Sequence, residues 1–167
     1  QTGAGVALST QVDTYNAIGN RTARNQNGAL TTWTYDSASR LTGQQTSGAY
    51  ATFTYDGVGN TTVKAQQGSS PMTFVYDAAN RITTMQQGAT RTTYTYDNNG
   101  NPTGENAAGS LTTNTYDSAN RLTGVVASTG VRSTYTYRGD NKRRTVQEAG
   151  GTLSTMLWDG EDYLGEV

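Results

Sequence analysis

Polar and apolar residues alternate in short bursts along this chain, and most bursts end on an aromatic-aspartate pair. Thr32-Trp33-Thr34-Tyr35-Asp36 is one burst and Thr52-Phe53-Thr54-Tyr55-Asp56 the next; Thr93-Tyr94-Thr95-Tyr96-Asp97 repeats the pattern further on. A period of two is the mark of a strand whose successive side chains face opposite sides of a sheet, so the aromatics are predicted on one face and the threonines on the other. Four residues after the last aromatic stand Gly19, Ser39, Gly59, Asn80, Gly100, Asn120 and Asn141. Glycine and asparagine tolerate a left-handed backbone, which predicts a tight turn there, with Ser39 as the exception. A second strand follows at Arg40-Leu41-Thr42, Arg81-Ile82-Thr83 and Arg121-Leu122-Thr123, and a second turn falls near Asn27-Gly28, Gly48, Gly68, Gly88, Gly109, Gly130 and Gly150-Gly151. The unit is therefore one β-hairpin.

The unit recurs with a period of 20 or 21 residues: Tyr15, Tyr35, Tyr55, Tyr76, Tyr96, Tyr116 and Tyr137, with Trp158 in the eighth place. Aspartate follows at Asp36, Asp56, Asp77, Asp97, Asp117 and Asp159, while Asn16 and Arg138 depart from the rule. Threonine stands seven residues after the aromatic in the first six units (Thr22, Thr42, Thr62, Thr83, Thr103, Thr123), and Arg144 replaces it in the seventh. A longer beat is superimposed. Gly-Asn follows Tyr15, Tyr55 and Tyr96, whereas Ser-Arg or Asn-Arg with Leu or Ile follows Tyr35, Tyr76 and Tyr116, so that TWTYDSASRLTG at 32–43 returns as TNTYDSANRLTG at 113–124. This alternation implies that successive hairpins meet unlike neighbours. Residues 1–167 read as a single array of about eight repeats.

Composition sharpens this picture. Only 33% of the 167 residues are hydrophobic and 15% charged, but eleven tyrosines and a formal charge of −1 do not fit a disordered chain. Thirty-one threonines and twenty glycines are a strand-and-turn composition. The absence of cysteine rules out disulfides and thiolate metal sites, and there is no histidine. Twelve scattered Lys and Arg residues do not make the basic footprint of a nucleic-acid binder. No apolar run approaches a membrane span or a signal-peptide core, and the chain opens on Gln1, which reads as a fragment of a longer protein.

Eight hairpins give about 14 to 16 strands, and at ~4.8 Å between neighbours the sheet extends roughly 70 Å. Open twisted sheets of more than ~10 strands curl, split or flatten. With aromatics on one face only, the expected fold is all-β: tandem hairpins forming a long, curled antiparallel sheet, a segment of a β-shell or spiral, with the aromatics on a thinly covered concave side. The terminal strands are expected to be open edges that pair with further repeats of the parent chain or self-associate edge to edge.

The recurring Tyr-Asp followed by Gly-Asn or Asn-Arg-Leu-Thr resembles the tyrosine-aspartate (YD) repeat of the Rhs family, which occurs in bacterial polymorphic toxins, in the shell-forming subunits of insecticidal toxin complexes and in animal teneurins. The resemblance covers residues 10 to 167. It implies a large β-shell that in many members encloses a C-terminal toxin or effector domain, and hence a secreted or cell-surface protein, bacterial by resemblance. The closing LWDGEDYLGEV is similar to the segment leading into the family's core region. The family's Asp-Pro-rich self-cleaving motif has no match, since Pro71 and Pro102 follow Ser70 and Asn101, so self-cleavage is not assigned.

Candidate chemistry is sparse. Six repeated carboxylates are turn formers accepting backbone N–H groups rather than acid-base pairs, because adjacent strand residues face opposite ways. Arg40, Arg81 and Arg121 are placed to reach carboxylates of neighbouring hairpins and fix register. The row Trp33, Phe53, Phe74, Tyr94 and Tyr135 reads either as a structural lining or as a surface that stacks a glycan. DNNGN at 97–101 resembles half a calcium loop, but Ala108 stands where the bidentate glutamate belongs. DNKRR at 140–144 is the densest basic run and falls where the repeat loses its aspartate. No catalytic residue, metal site or cofactor is assigned. The expected function is a non-enzymatic structural segment of a shell, and the alternative is an extracellular adhesive or carbohydrate-binding repeat module.

Overall fold

The computed structural model describes residues 10–167. They form sixteen antiparallel strands in chain order in one sheet, without a helix among the described residues. Two compact units divide the chain, one running to Arg81 and adding Gln86–Ala89, the other made of Ile82–Met85 and Thr90–Val167. The first holds β1 (Gln11–Tyr15), β2 (Arg21–Gln26), β3 (Ala29–Tyr35), β4 (Leu41–Thr46), β5 (Ala49–Tyr55), β6 (Thr61–Gln66) and β7 (Met72–Tyr76). Strand β8 (Ile82–Gln87) contributes to both. The second holds β9 (Thr90–Tyr96), β10 (Pro102–Ala107), β11 (Ser110–Tyr116), β12 (Leu122–Val126), β13 (Arg132–Tyr137), β14 (Arg143–Gln147), β15 (Leu153–Asp159) and β16 (Asp162–Glu166).

The period of two is visible in the burial of each aromatic strand. In β5, Ala51, Phe53 and Tyr55 are half-buried while Thr52 and Thr54 are exposed; β11 alternates in the same way. All seven residues at the fourth position have positive φ, from Asn120 at 59° to Gly59 at 104°, and Ser39 adopts 61° without being Gly or Asn. The second turns of the β2–β3, β4–β5 and β10–β11 hairpins place two successive residues at positive φ, Asn27-Gly28, Ser47-Gly48 and Ala108-Gly109. That is the mirror-image turn whose twist matches its strands.

Threonine at the seventh position has a different role from that of an ordinary strand residue. Across β3 and β4, Thr34 pairs with Gly43 but Tyr35 pairs with Leu41, so Thr42 is an unpaired extra residue, a β-bulge. The same slip recurs beside Tyr15, Tyr55, Tyr96, Tyr116, Tyr137 and Trp158. Each bulge threonine turns its hydroxyl to the threonine before the aromatic: Thr34 to Thr42 at 3.1 Å, Thr54 to Thr62 at 2.8 Å and Thr95 to Thr103 at 3.2 Å. In the seventh unit, where Arg144 displaces the pattern, Thr145 makes the bond with Thr136 instead.

Hardly any core exists. Among the described residues, Val146 at 7% exposure is the only buried hydrophobic side chain, accompanied by Thr92 and Ser133. A sheet with so little apolar burial must be held by its ladder and by side chains that bond from one hairpin to the next.

Candidate functional site

The repeat turn is built around the carboxylate. In the unit of Tyr35, Asp36 Oδ1 accepts the backbone N–H groups of Ala38 and Arg40, both at 2.9 Å, and Oδ2 accepts Arg40 Nε at 2.7 Å. Asp77 and Asp117 repeat this with Arg81 and Arg121. Asp56 and Asp97 keep the backbone bonds and offer Oδ2 to the side-chain amides of Asn60 and Asn101. Donors fixed around the charged form favour ionisation. The backbone N–H of Arg40 does most to hold Asp36 below the usual carboxylate range, as Arg81 and Arg121 do for Asp77 and Asp117, while the Asn60 and Asn101 amides lead at Asp56 and Asp97; partial burial opposes all five. Asp159 is different: it ends β15 opposite Asp162 across a shorter turn.

This corrects the expectation for the arginines. Arg40, Arg81 and Arg121 pair with the aspartate of their own turn, four residues back, because the turn brings that carboxylate within reach of Nε before a neighbouring one. The next hairpin is reached by other means. Arg40 Nη1 donates to the Asp56 carbonyl at 3.1 Å and its guanidinium lies 4.7 Å over the Tyr55 ring. Arg121 donates to the Arg138 carbonyl and to Asn141 Oδ1, and lies 4.8 Å over Tyr137. Where the residue is Asn, its amide donates to the left-handed Asn of the next turn, Asn60 to Asn80 at 2.9 Å and Asn101 to Asn120 at 2.8 Å. The beat of two units is therefore a turn-to-turn contact pattern.

The repeat aromatics form a second ladder. Tyr35 Oη donates to the carbonyl of Arg21, Tyr55 to Leu41, Tyr76 to Thr61, Tyr96 to Ile82, Tyr116 to Pro102 and Tyr137 to Leu122, at 2.7–3.1 Å. In every case the acceptor lies six residues after the preceding repeat aromatic, and Arg21, Leu41, Thr61, Pro102 and Leu122 stand next to a bulge. Trp158 completes the series, its indole Nε1 donating to Arg143 at 2.8 Å. Sequence reasoning missed these bonds, although a signal was present: this position admits Tyr and Trp, which carry a donor, whereas the position two residues earlier also admits Phe53 and Phe74. Tyr15 on β1 is 60% exposed.

The earlier aromatics Trp33, Phe53, Phe74, Tyr94 and Tyr135 are half-buried on the same face. The Arg21 guanidinium lies 4.4 Å over Trp33 and that of Arg143 lies 4.9 Å over Tyr135. Burial raises the Tyr94 hydroxyl above its ordinary value. Two turns depart from the carboxylate rule. Asn16 Oδ1 accepts Ile18 and Asn20 N–H as an aspartate would, but the Asn20 side-chain nitrogen is buried without a partner. At Arg138 the acid reappears two residues later as Asp140, which accepts Lys142 N–H.

Comparison with known proteins bears on this repeat. The teneurin YD-shell family model matches the chain twice, over residues 8–100 and 55–167. No curated protein matches it in sequence. Among solved structures, a chain of the TcdB2-TccC3-Cdc42 crystal structure superposes over 91% of this chain with a TM-score of 0.77 at 15% identity. A chain of TcdB2-TccC3-TEV matches over 89% with a TM-score of 0.53 at 16% identity. A chain of the Photorhabdus luminescens Tc holotoxin pore, carrying a TccC3 mutation, matches over 90% with a TM-score of 0.51 at 15% identity. At such identities the likeness concerns the fold. The chain spans only 10% to 12% of the length of those chains.

Proposed function

The chain belongs to the teneurin YD-shell family, and from that premise we propose that this structural shell segment is a stretch of wall enclosing a C-terminal toxin or effector domain of a secreted parent protein. The observation that carries the reading is the pairing of two ladders with almost no core. Seven aromatic donors and the turn-to-turn contacts tie each hairpin to the one before it, so a sheet one layer thick holds without a second layer packed against it. A wall has this design, because both its faces are free to meet solvent or contents. The five tightly bonded turn carboxylates serve the wall and not a reaction.

The test is protease protection in the parent protein. The enclosed domain resists added protease while the array is intact and is cleaved when hairpins within residues 30 to 130 are deleted. Digestion at the same rate with and without those hairpins refutes enclosure.

A further inference from the structure

The threonine face of the first unit holds a hollow that neither ladder uses. Strand β4 runs along its floor. Thr34 and Thr52 stand opposite Gly43 on the two flanking strands, and Thr32 and Tyr50 stand opposite Gln45. Residues directly opposite one another share a face, so these six positions make two cross-strand rows on one surface. It is the reverse of the surface that carries Trp33 and Phe53. The hollow they line has a volume of about 210 Å³, room for one sugar ring.

The floor is bare backbone at Gly43, where a Cβ would meet Thr34 Oγ1 at 2.6 Å. One wall is an aromatic ring, since Tyr50 is 52% exposed. The remaining lining is polar and uncharged: β3, β4 and β5 contain no Asp, Glu, Lys or Arg. Thr34 is committed to Thr42 at 3.1 Å. Among the described residues no other group takes up the Gln45 amide or the hydroxyls of Thr32, Tyr50 and Thr52.

This chemistry narrows the ligand. A phosphate or carboxylate finds no cation here, and an amine finds no carboxylate. A wholly apolar ligand would cover the Gln45 amide and the hydroxyls without bonding them, at a cost of roughly 1–3 kcal/mol for each buried group. A peptide strand joins a sheet at a free edge, whereas β4 is paired on both sides. We propose that the hollow binds a neutral pyranose. Its C–H face lies on the Tyr50 ring, and its hydroxyls bond the Gln45 amide and the Thr32 and Thr52 hydroxyls, groups that both donate and accept. No ladder bond has to break, so the site is formed before the sugar arrives.

The experiment is saturation-transfer NMR of the whole chain with methyl β-galactoside, methyl β-glucoside and methyl α-mannoside, and with N-acetylneuraminic acid as the charged comparison. Saturation is expected at the ring C–H protons of at least one neutral probe and not in the acid. Tyr50→Ala weakens the affinity for that probe about tenfold, the scale of one aromatic contact, at an unchanged melting temperature. Tyr50→Phe keeps the ring and retains binding. If Tyr50→Ala lowers the melting temperature, Gln45→Leu, which keeps the bulk and removes the amide, decides in its place and is expected to weaken binding likewise. No saturation of any neutral probe, transfer to the acid alone, or full binding by Tyr50→Ala or by Gln45→Leu overturns the proposal. Binding lost equally in Tyr50→Ala and Tyr50→Phe overturns it too, because the ring would then not be the contact. Enclosure is read by protease and stands or falls separately.

Discussion

Replacing Asn16 with aspartate should stabilise the first hairpin. Asn16 Oδ1 already accepts the backbone groups of Ile18 and Asn20, so the change leaves that half of the turn intact and exchanges the side-chain nitrogen for a second oxygen. The Asn20 amide then gains the partner that Asn60 finds in Asp56 at 2.9 Å and Asn101 in Asp97 at 2.8 Å. An unmade bond at a buried donor costs roughly 1–3 kcal/mol, and solvent near this exposed turn reduces the recoverable part to about 1 kcal/mol. For a chain of this size melting as one unit, that is about 2–4 °C. Stability in repeat arrays is largely local, so hydrogen exchange of the β1 and β2 amides is the sharper assay. The new carboxylate should resemble Asp56 and Asp97, held low first by the asparagine side chain. A depressed acid contributes above its unfolded pKa, about 3.9, and the gain disappears as pH falls through the folded value. The reasoning is refuted if Asn16→Asp leaves protection unchanged or lower at pH 7, or if the gain survives in an Asn20→Ala background.

Two further outcomes follow from the same geometry. Ser39→Asn should stabilise by about 0.5–1 kcal/mol, since Asn suits the φ of 61° and supplies the acceptor that Asn80 and Asn120 give their neighbours; Gly59→Val, at φ 104°, should cost about 1–3 kcal/mol in thermal melts. Equal tolerance of the two changes would remove the turn argument. Tyr55→Phe should cost about 1 kcal/mol by leaving the Leu41 carbonyl without its donor, read as faster exchange in β4 and β5, and unchanged exchange would mean that water replaces the hydroxyl freely.

The parts legible in the sequence were those written in side-chain identity at a fixed spacing. Tyr-Asp at 20 or 21 residues gave the hairpin, alternation gave the two faces, and Gly or Asn at the fourth position gave the left-handed residue that even Ser39 adopts. The aromatic ladder stayed hidden because its partner is backbone. The carbonyls that receive Tyr35, Tyr55 or Trp158 belong to Arg21, Leu41 and Arg143, residues of no common type, because a peptide oxygen is supplied by any side chain. The bulge behind Thr42, Thr62 and Thr103 was visible as a conserved spacing within the chain but not as a bulge, since the hydroxyl pair with the strand threonine requires register to be known. The arginines were misplaced for a related reason. Four residues of separation looks too short to matter in a strand, yet a left-handed residue between Asp36 and Arg40 folds the chain back and makes that aspartate the nearer acid. The two irregularities at Asn16 and Ser39 then acquire a shared meaning: both withdraw an acceptor from the amide of Asn20, and it is the one asparagine side chain among the described residues buried without a partner.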